Sequence, residues 1–250
     1  MIKLKWLVWG LAMIALFSAC TTPTKCPEIP QEGTNVCDKF GPRVEKGLYS
    51  IPNDRYHLES FLHGYQDQMK NPKQVRVDKP FLIQKREVTV SEFQLYVEQG
   101  LSEADRQKLD TWWESSPQQP VRWVSHEMAE GYAKWLSKKT GWDLRLPSVP
   151  EWIAAVILYG ESTPVLKGKE PSIELRKNVN HLLGNLREWS KDTCTTSDGE
   201  DGFKTLGENF LTGTDSENHG NAYCLSGEGG DGIGFRLIRY DIDGDNNSWK

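Results

Sequence analysis

Arg145-Leu146-Pro147-Ser148-Val149-Pro150-Glu151-Trp152 starts a helix and fixes which of its faces turns inward. Ser148 and Glu151 form a capping box: the hydroxyl accepts from a first-turn N–H, and the carboxylate reaches back to the cap's own N–H. Pro150 falls in the first turn, where its missing N–H breaks no helical bond. Trp152, Ala155, Val156 and Tyr159 then recur at helical spacing and predict an inward face. Just upstream, the Arg145 guanidinium has five donors, enough to tie loop carbonyls or a carboxylate across a domain.

Two more helices have start signals of the same kind. Thr89 and Glu92 make a second capping box, ahead of Phe93, Tyr96 and Val97, and Gly100 is expected to end that helix. Ser125 caps the next, with Glu127 at its positive end and Met128, Tyr132, Trp135 and Leu136 as its apolar stripe. Gly141 follows its last turn. Residues 102–113 read as a short amphipathic addition. Residues 32–80 alternate apolar patches with Gly, Pro and Asn, which predicts strands and loops without helix. Phe81-Leu82-Ile83 reads as a strand, with Val75 and Val77 continuing it upstream. From Val165 onward helix signals fade, and Gly234 to Arg239 is a late strand by alternation. Helices and strands are segregated along the chain, so the class is α+β. A long loop-rich segment inside one domain has to be pinned by a disulfide, an ion or core Trp.

The N-terminus sets the compartment. Lys3 and Lys5 precede the apolar run Trp6–Phe17, and Phe17-Ser18-Ala19-Cys20 puts small residues before a cysteine. That is the layout of an export signal, and its ending resembles a bacterial lipobox. The run is shorter than the ~20 apolar residues a transmembrane helix needs. The expectation is a signal peptide at 1–19, a lipidated (palmitate-bearing) Cys20 with a linker at 20–31, and a folded domain at 32–250. The alternatives are an ordinary secretory signal or an N-terminal anchor. Thr21 follows the cysteine rather than Asp, which favours the outer membrane, with the body on the periplasmic face.

Four further cysteines, Cys26, Cys37, Cys194 and Cys224, suit an exported chain with two disulfides. Three pairings are possible. Cys26–Cys37 with Cys194–Cys224 is expected, because each closes a short loop; the alternative is free, buried thiols. No CxxC occurs, which argues against zinc or thioredoxin-type sites. A net charge of −5 with signs mixed along the chain argues against a nucleic-acid surface. It also gives no attraction to anionic lipid, so the membrane contact would be the lipid anchor. Ten Trp supply large core-forming side chains.

Five segments in order resemble the formylglycine-generating-enzyme-like (sulfatase-modifying factor) family. They are Phe81 to Val90, Pro120 to Ser125 with the helix after it, Arg145 to Trp152, Gly184-Asn185-Leu186-Arg187-Glu188-Trp189, and Gly234-Phe235-Arg236. The resemblance implies a C-type-lectin-like fold: a small twisted sheet, two flanking helices and extensive irregular structure. Arg145, Glu151, Trp152, Asn185, Trp189 and Arg236 are then framework residues. Asn185 supports a tight turn with Gly184. Glu188, between Leu186 and Trp189, is expensive to bury unless paired or metal-bound.

What the family does chemically has a mixed echo here. Catalytic members hold copper with two cysteines after a "GGS" segment, since soft thiolates suit Cu(I). The corresponding stretch, Lys204 to Ser216, contains no cysteine. A second branch places iron on a histidine cluster; His57, His63, His126, His181 and His219 form no such pattern, and His126 reads as a surface residue. Members often hold Ca²⁺ at the fourth segment, which maps onto Gly184, Leu186 and Glu188, with His181 where the family has Asn. A paired, structural Glu188 is the alternative, and no other cofactor is implied. Asp241 to Asp245 imitates an EF-hand start, but Asn246 stands where the sixth-position Gly belongs and the twelfth-position Glu is missing, so it reads as a solvated tail.

Functional expectations follow in order. The first is a non-catalytic envelope lipoprotein that binds or scaffolds protein partners, since such lipoproteins occur in secretion and motility machines. The second is a divergent enzyme acting on protein thiols, with Cys224 as a lone thiol. The third is a glycan-binding module, with Trp112 and Trp113 as stacking residues.

Overall fold

The computed structural model describes residues 36–53, 73–106, 116–160, 179, 181–209 and 224–240. The stretch read as an export signal, Cys20, Cys26, Trp112, Trp113 and Asp241 to Asp245 lie outside them.

Four helices are described: α1 (Val90–Gly100), α2 (Glu103–Arg106), α3 (His126–Thr140) and α4 (Val149–Tyr159). Both capping boxes form, Thr89 with Glu92 on α1 and Ser148 with Glu151 on α4. Ser125 caps α3 by accepting from Met128 N, and Gly141 closes it in the left-handed region at φ 74°. Gly100 has a different task from the one its position predicts. It is the last helical residue, and Leu101 takes the extended C-cap. A Cβ at Gly100 would run into the Tyr96 ring and come within 2.8 Å of Trp135 Cδ1. The glycine is there to let aromatic side chains of α1 and α3 close over it.

Ten strands build three sheets among the described residues. β1 (Phe40–Val44), β4 (Phe81–Gln84), β10 (Ile238–Tyr240) and β5 (Leu144–Arg145) lie side by side in that order. β2 (Gly47–Ser50) pairs with β3 (Gln74–Val77) alone. The third sheet runs β8 (Cys224–Leu225), β7 (Asp201–Leu206), β6 (Arg187–Thr195) and β9 (Ile233–Gly234). Only β6 and β9 pair in parallel.

Three expectations change. A one-turn 3₁₀ helix, Val36–Lys39, precedes β1 in a region read as free of helix. Val75 and Val77 do not extend the Phe81 strand; they form β3, in a separate sheet. Gly234 to Arg239 is not one strand. Gly234 pairs with Glu188 in one sheet and Ile238 with Ile83 in another, and Phe235, Arg236 and Leu237 cross between them with no exposure. Burial on every side, rather than pleated pairing, explains that apolar run.

Two apolar clusters result. One joins α1 and α3 to Trp142, Trp189 and Phe235. The other sets α4, led by Trp152, against β1, β3 and β4. No helix among the described residues is long and apolar enough to cross a membrane.

Candidate functional site

Arg236 joins three of the quoted segments. Its Nε donates to both carboxylate oxygens of Glu188 at 2.8 Å, and Nη2 lies 2.6 Å from Oε1. Nη2 is also 3.8 Å from Glu87, whose Oε1 accepts from Asn185 Nδ2 at 2.9 Å. The remaining donors reach the carbonyls of Gln84 and His181. One guanidinium therefore serves two fully buried carboxylates. Burial pushes Glu188 up to about 7; Arg236 opposes this, and the Glu87 charge adds to it. Burial also pushes Glu87 up, against Arg236 and Asn185. Glu188, met by two guanidinium nitrogens, is the closer ion-pair partner, and Glu87 sits at the edge of the same group.

This geometry does not fit the calcium implied at Gly184, Leu186 and Glu188. Both Glu188 oxygens and the His181 carbonyl already face a cation, Arg236. A hard ion needs six to eight oxygen ligands, and its charge would be repelled by the guanidinium. Glu188 is the paired structural carboxylate, and Asn185 holds the turn with φ 72°.

Arg145 and Glu151 behave similarly. Arg145 binds the Glu151 carboxylate with two nitrogens, at 2.9 and 2.5 Å, while that carboxylate caps α4. Tyr240 Oη completes the group with Arg145. Trp152 and Trp189 are fully buried, and Trp189 Nε1 donates to the Val124 carbonyl. These residues are frame.

The stretch expected from the resemblance to correspond to the copper segment leaves β7 beside this frame: Leu206 pairs with Glu188. Gly207 follows at φ 80°, with Leu182 O 3.1 Å from where a Cβ would sit. Arg187 donates Nε to the Gly207 carbonyl and lies 3.9 Å from Glu208. Asn209 packs on Gly232 so closely that a Cβ there would strike its amide. Residues 210–216 lie outside the described residues.

Cys194 and Cys224 are joined, with Cα atoms 5.8 Å apart. The bridge links β6 to β8 across β7, and passes over Gly202, where a Cβ would be 2.9 Å from Cys224 Sγ. Cys224 is therefore no lone thiol, and the enzymatic reading that relied on one loses its nucleophile. Cys37 is also disulfide-bonded.

His126 corrects a second expectation. It is buried at 3% exposure rather than on the surface. Its ring stacks on Phe203 at 3.6 Å between centroids, and Nε2 lies 2.9 Å from the Ser190 carbonyl. Burial holds its pKa below the ordinary imidazole value. The position in a helix's first turn gave no hint of the sheet that covers it.

The surface beside His126 presents a residue that the sequence did not mark. Trp123 has φ 63°, a conformation that costs an L-residue about 1–2 kcal/mol. The residue is 46% exposed. Nε1 donates to Asp231 Oδ1 at 3.1 Å, and Arg122 Nη1 reaches the same oxygen at 3.0 Å. The Trp123 N–H donates to Gly230 O, and Gly229 lies so close that a Cβ would collide with the Trp123 carbonyl. Only the alternation of glycines across 227–232 could have pointed to a close backbone approach here.

Residues 44–164 match the Sulfatase-modifying factor enzyme 1-like domain. No curated protein sequence matches the chain. Among solved structures, PvdO from Pseudomonas aeruginosa is similar with a TM-score of 0.57 at 23% identity, over 80% of this chain and 93% of its own. CarF gives 0.53 at 18% identity, over 80% and 97%. Treponema denticola variable protein 1 gives 0.50 at 14%, over 81% and 95%. At these identities the likeness is one of fold.

Proposed function

The chain carries a sulfatase-modifying factor enzyme 1-like domain, and from that premise we propose that it is a non-catalytic binding or scaffold lipoprotein of the cell envelope. It serves as a component of a secretion or motility machine. The observation that carries this reading is the fate of the thiols. The segment from Lys204 to Ser216 has no cysteine, and Cys224, the next one along, is tied to Cys194. The chemistry of catalytic relatives needs a pair of thiolates on one copper ion.

The frame supports a binding role. Motif residues are spent on internal ties, so the loops sit on a rigid base. After cleavage of the export signal at Ala19, lipid on Cys20 anchors that base to the outer membrane, facing the periplasm. Capture with lipidated bait from detergent-solubilised envelopes tests the reading. A protein partner should co-elute with the wild type at fixed stoichiometry in size exclusion. Cys20→Ala should leave the membrane fraction or accumulate as precursor. Unchanged partition and processing of that variant would remove the anchor from the account.

A further inference from the structure

Cys37 is disulfide-bonded, and the chain offers it few partners. Cys194 and Cys224 hold each other. Cys20, once it carries lipid on its sulfur, has no thiol to give. Cys26 is the cysteine that remains. It lies outside the described residues, so its assignment rests on this elimination. The bond forms by exchange with an oxidising protein disulfide of the envelope: the two thiols give up two protons and two electrons, and the donor disulfide leaves as a dithiol.

Cys37 sits in the 3₁₀ turn Val36–Lys39, and that turn is fastened to the body of the domain. Val36 is fully buried in the cluster that joins α1 and α3. Lys39 Nζ lies 2.9 Å from Glu92 Oε1, and the Lys39 carbonyl accepts from Lys85 N at 2.8 Å. Phe40, next along, packs T-shaped on Trp142 with ring centroids 5.9 Å apart. These ties hold the turn independently of the bond, and a pull on Cys37 passes through them to the core. Asp38 is exposed between the fixed residues.

We propose that a Cys26–Cys37 bond clamps the lipidated tether to the 3₁₀ turn and makes that end of the domain its bilayer-facing pole. The inference rests on the lipoprotein reading above and adds which side of the domain meets the lipid headgroups. Cys26 follows Cys20 by six positions, and Cys37 follows it by seventeen. Extended chain covers at most ~3.6 Å per residue, so the bond cuts the reach from lipid to turn from ~60 Å to ~22 Å, plus ~5.5 Å between the bonded Cα atoms. A domain of this size is about 40 Å across. A tether longer than that lets any face turn to the bilayer; one of about half that length does not.

The test uses the full lipidated chain in vesicles of phosphatidylethanolamine and phosphatidylglycerol, with a site-specific protease sequence inserted between Gly33 and Thr34. After cutting, the domain should stay on the vesicles and leave when a reductant is added. The Cys26→Ser variant should leave on cutting alone. A fluorescent residue introduced at Asp38 reports on the pole. Its energy transfer to headgroup acceptors should fall twofold or more in uncut Cys26→Ser. Release of the cut wild type without reductant, retention after reduction, unchanged transfer, or a Cys20–Cys37 linked peptide in mass spectrometry would each overturn the proposal. Uncut wild type that fails to hold to vesicles removes the lipid anchor and the clamp with it. Uncut chain that binds but is released by cutting alone removes the clamp and leaves the anchor standing.

Discussion

At the scale of residues, Arg236 is the most heavily committed side chain. Its guanidinium is spent on Glu188, Glu87 and two carbonyls, and none of it is exposed. Replacing it with Met should leave two carboxyls buried without their cation and cost about 3–5 kcal/mol, read from denaturant unfolding. Chelation should leave the wild-type melting temperature unchanged, because the guanidinium holds the place of an ion. A fall on chelation that calcium restores would contradict this. Sequence marked Glu188 as a carboxylate in need of a partner, since it lies between apolar residues. It did not identify the partner, because Arg236 is 48 positions away and only the fold brings the two together. Trp123 was invisible for a related reason: a backbone angle leaves no trace in residue type unless the residue is glycine.

At the scale of elements, α1 shows how a local signal becomes tertiary. Glu92 closes the capping box with Thr89 and also binds Lys39 of the 3₁₀ turn at 2.9 Å and Arg86 at 2.9 Å. Burial alone would raise its pKa, but Lys39, Arg86 and the Thr89 N–H overcome it and hold the carboxyl at about 2. A depressed carboxyl contributes stability above its unfolded value of 4.5, and that contribution is lost as pH falls from there toward 2. It is on the order of 3 kcal/mol. Glu92→Gln should therefore lie below the wild type in melting temperature at pH 7, and the gap should narrow between pH 4.5 and 2. A gap independent of pH would exclude the ion pairs as its source. The capping boxes were legible because both partners lie within one turn. The role of Gly100 was not, because the Tyr96 and Trp135 rings that need its space come from two helices. The late strand was misplaced because Phe235 to Leu237 are buried on all sides as they change sheets.

At the scale of the whole molecule, two apolar clusters share one set of connections, and the β8-β7-β6-β9 sheet is clamped by Cys194–Cys224. The bridge spans 30 residues, and a loop of that size corresponds to about 3–4 kcal/mol. Reduction should raise amide exchange in β7 and β8 well before α1 or α3 responds; uniform exchange across all of them would show that the clamp is not local. The α+β class and the motif frame were legible because each motif carries its own caps and apolar spacing. The surface around Trp123 was not, since it is assembled from two loops more than a hundred residues apart. The proposed non-catalytic role requires that the chain leave a substrate cysteine unoxidised, since Lys204 to Ser216 carries no thiolate pair. Incubating the full chain with copper, oxygen and a sulfatase-type cysteine peptide tests it most directly, with the peptide followed by mass spectrometry. The peptide mass should stay unchanged; conversion of the cysteine to an aldehyde would overturn the non-catalytic role.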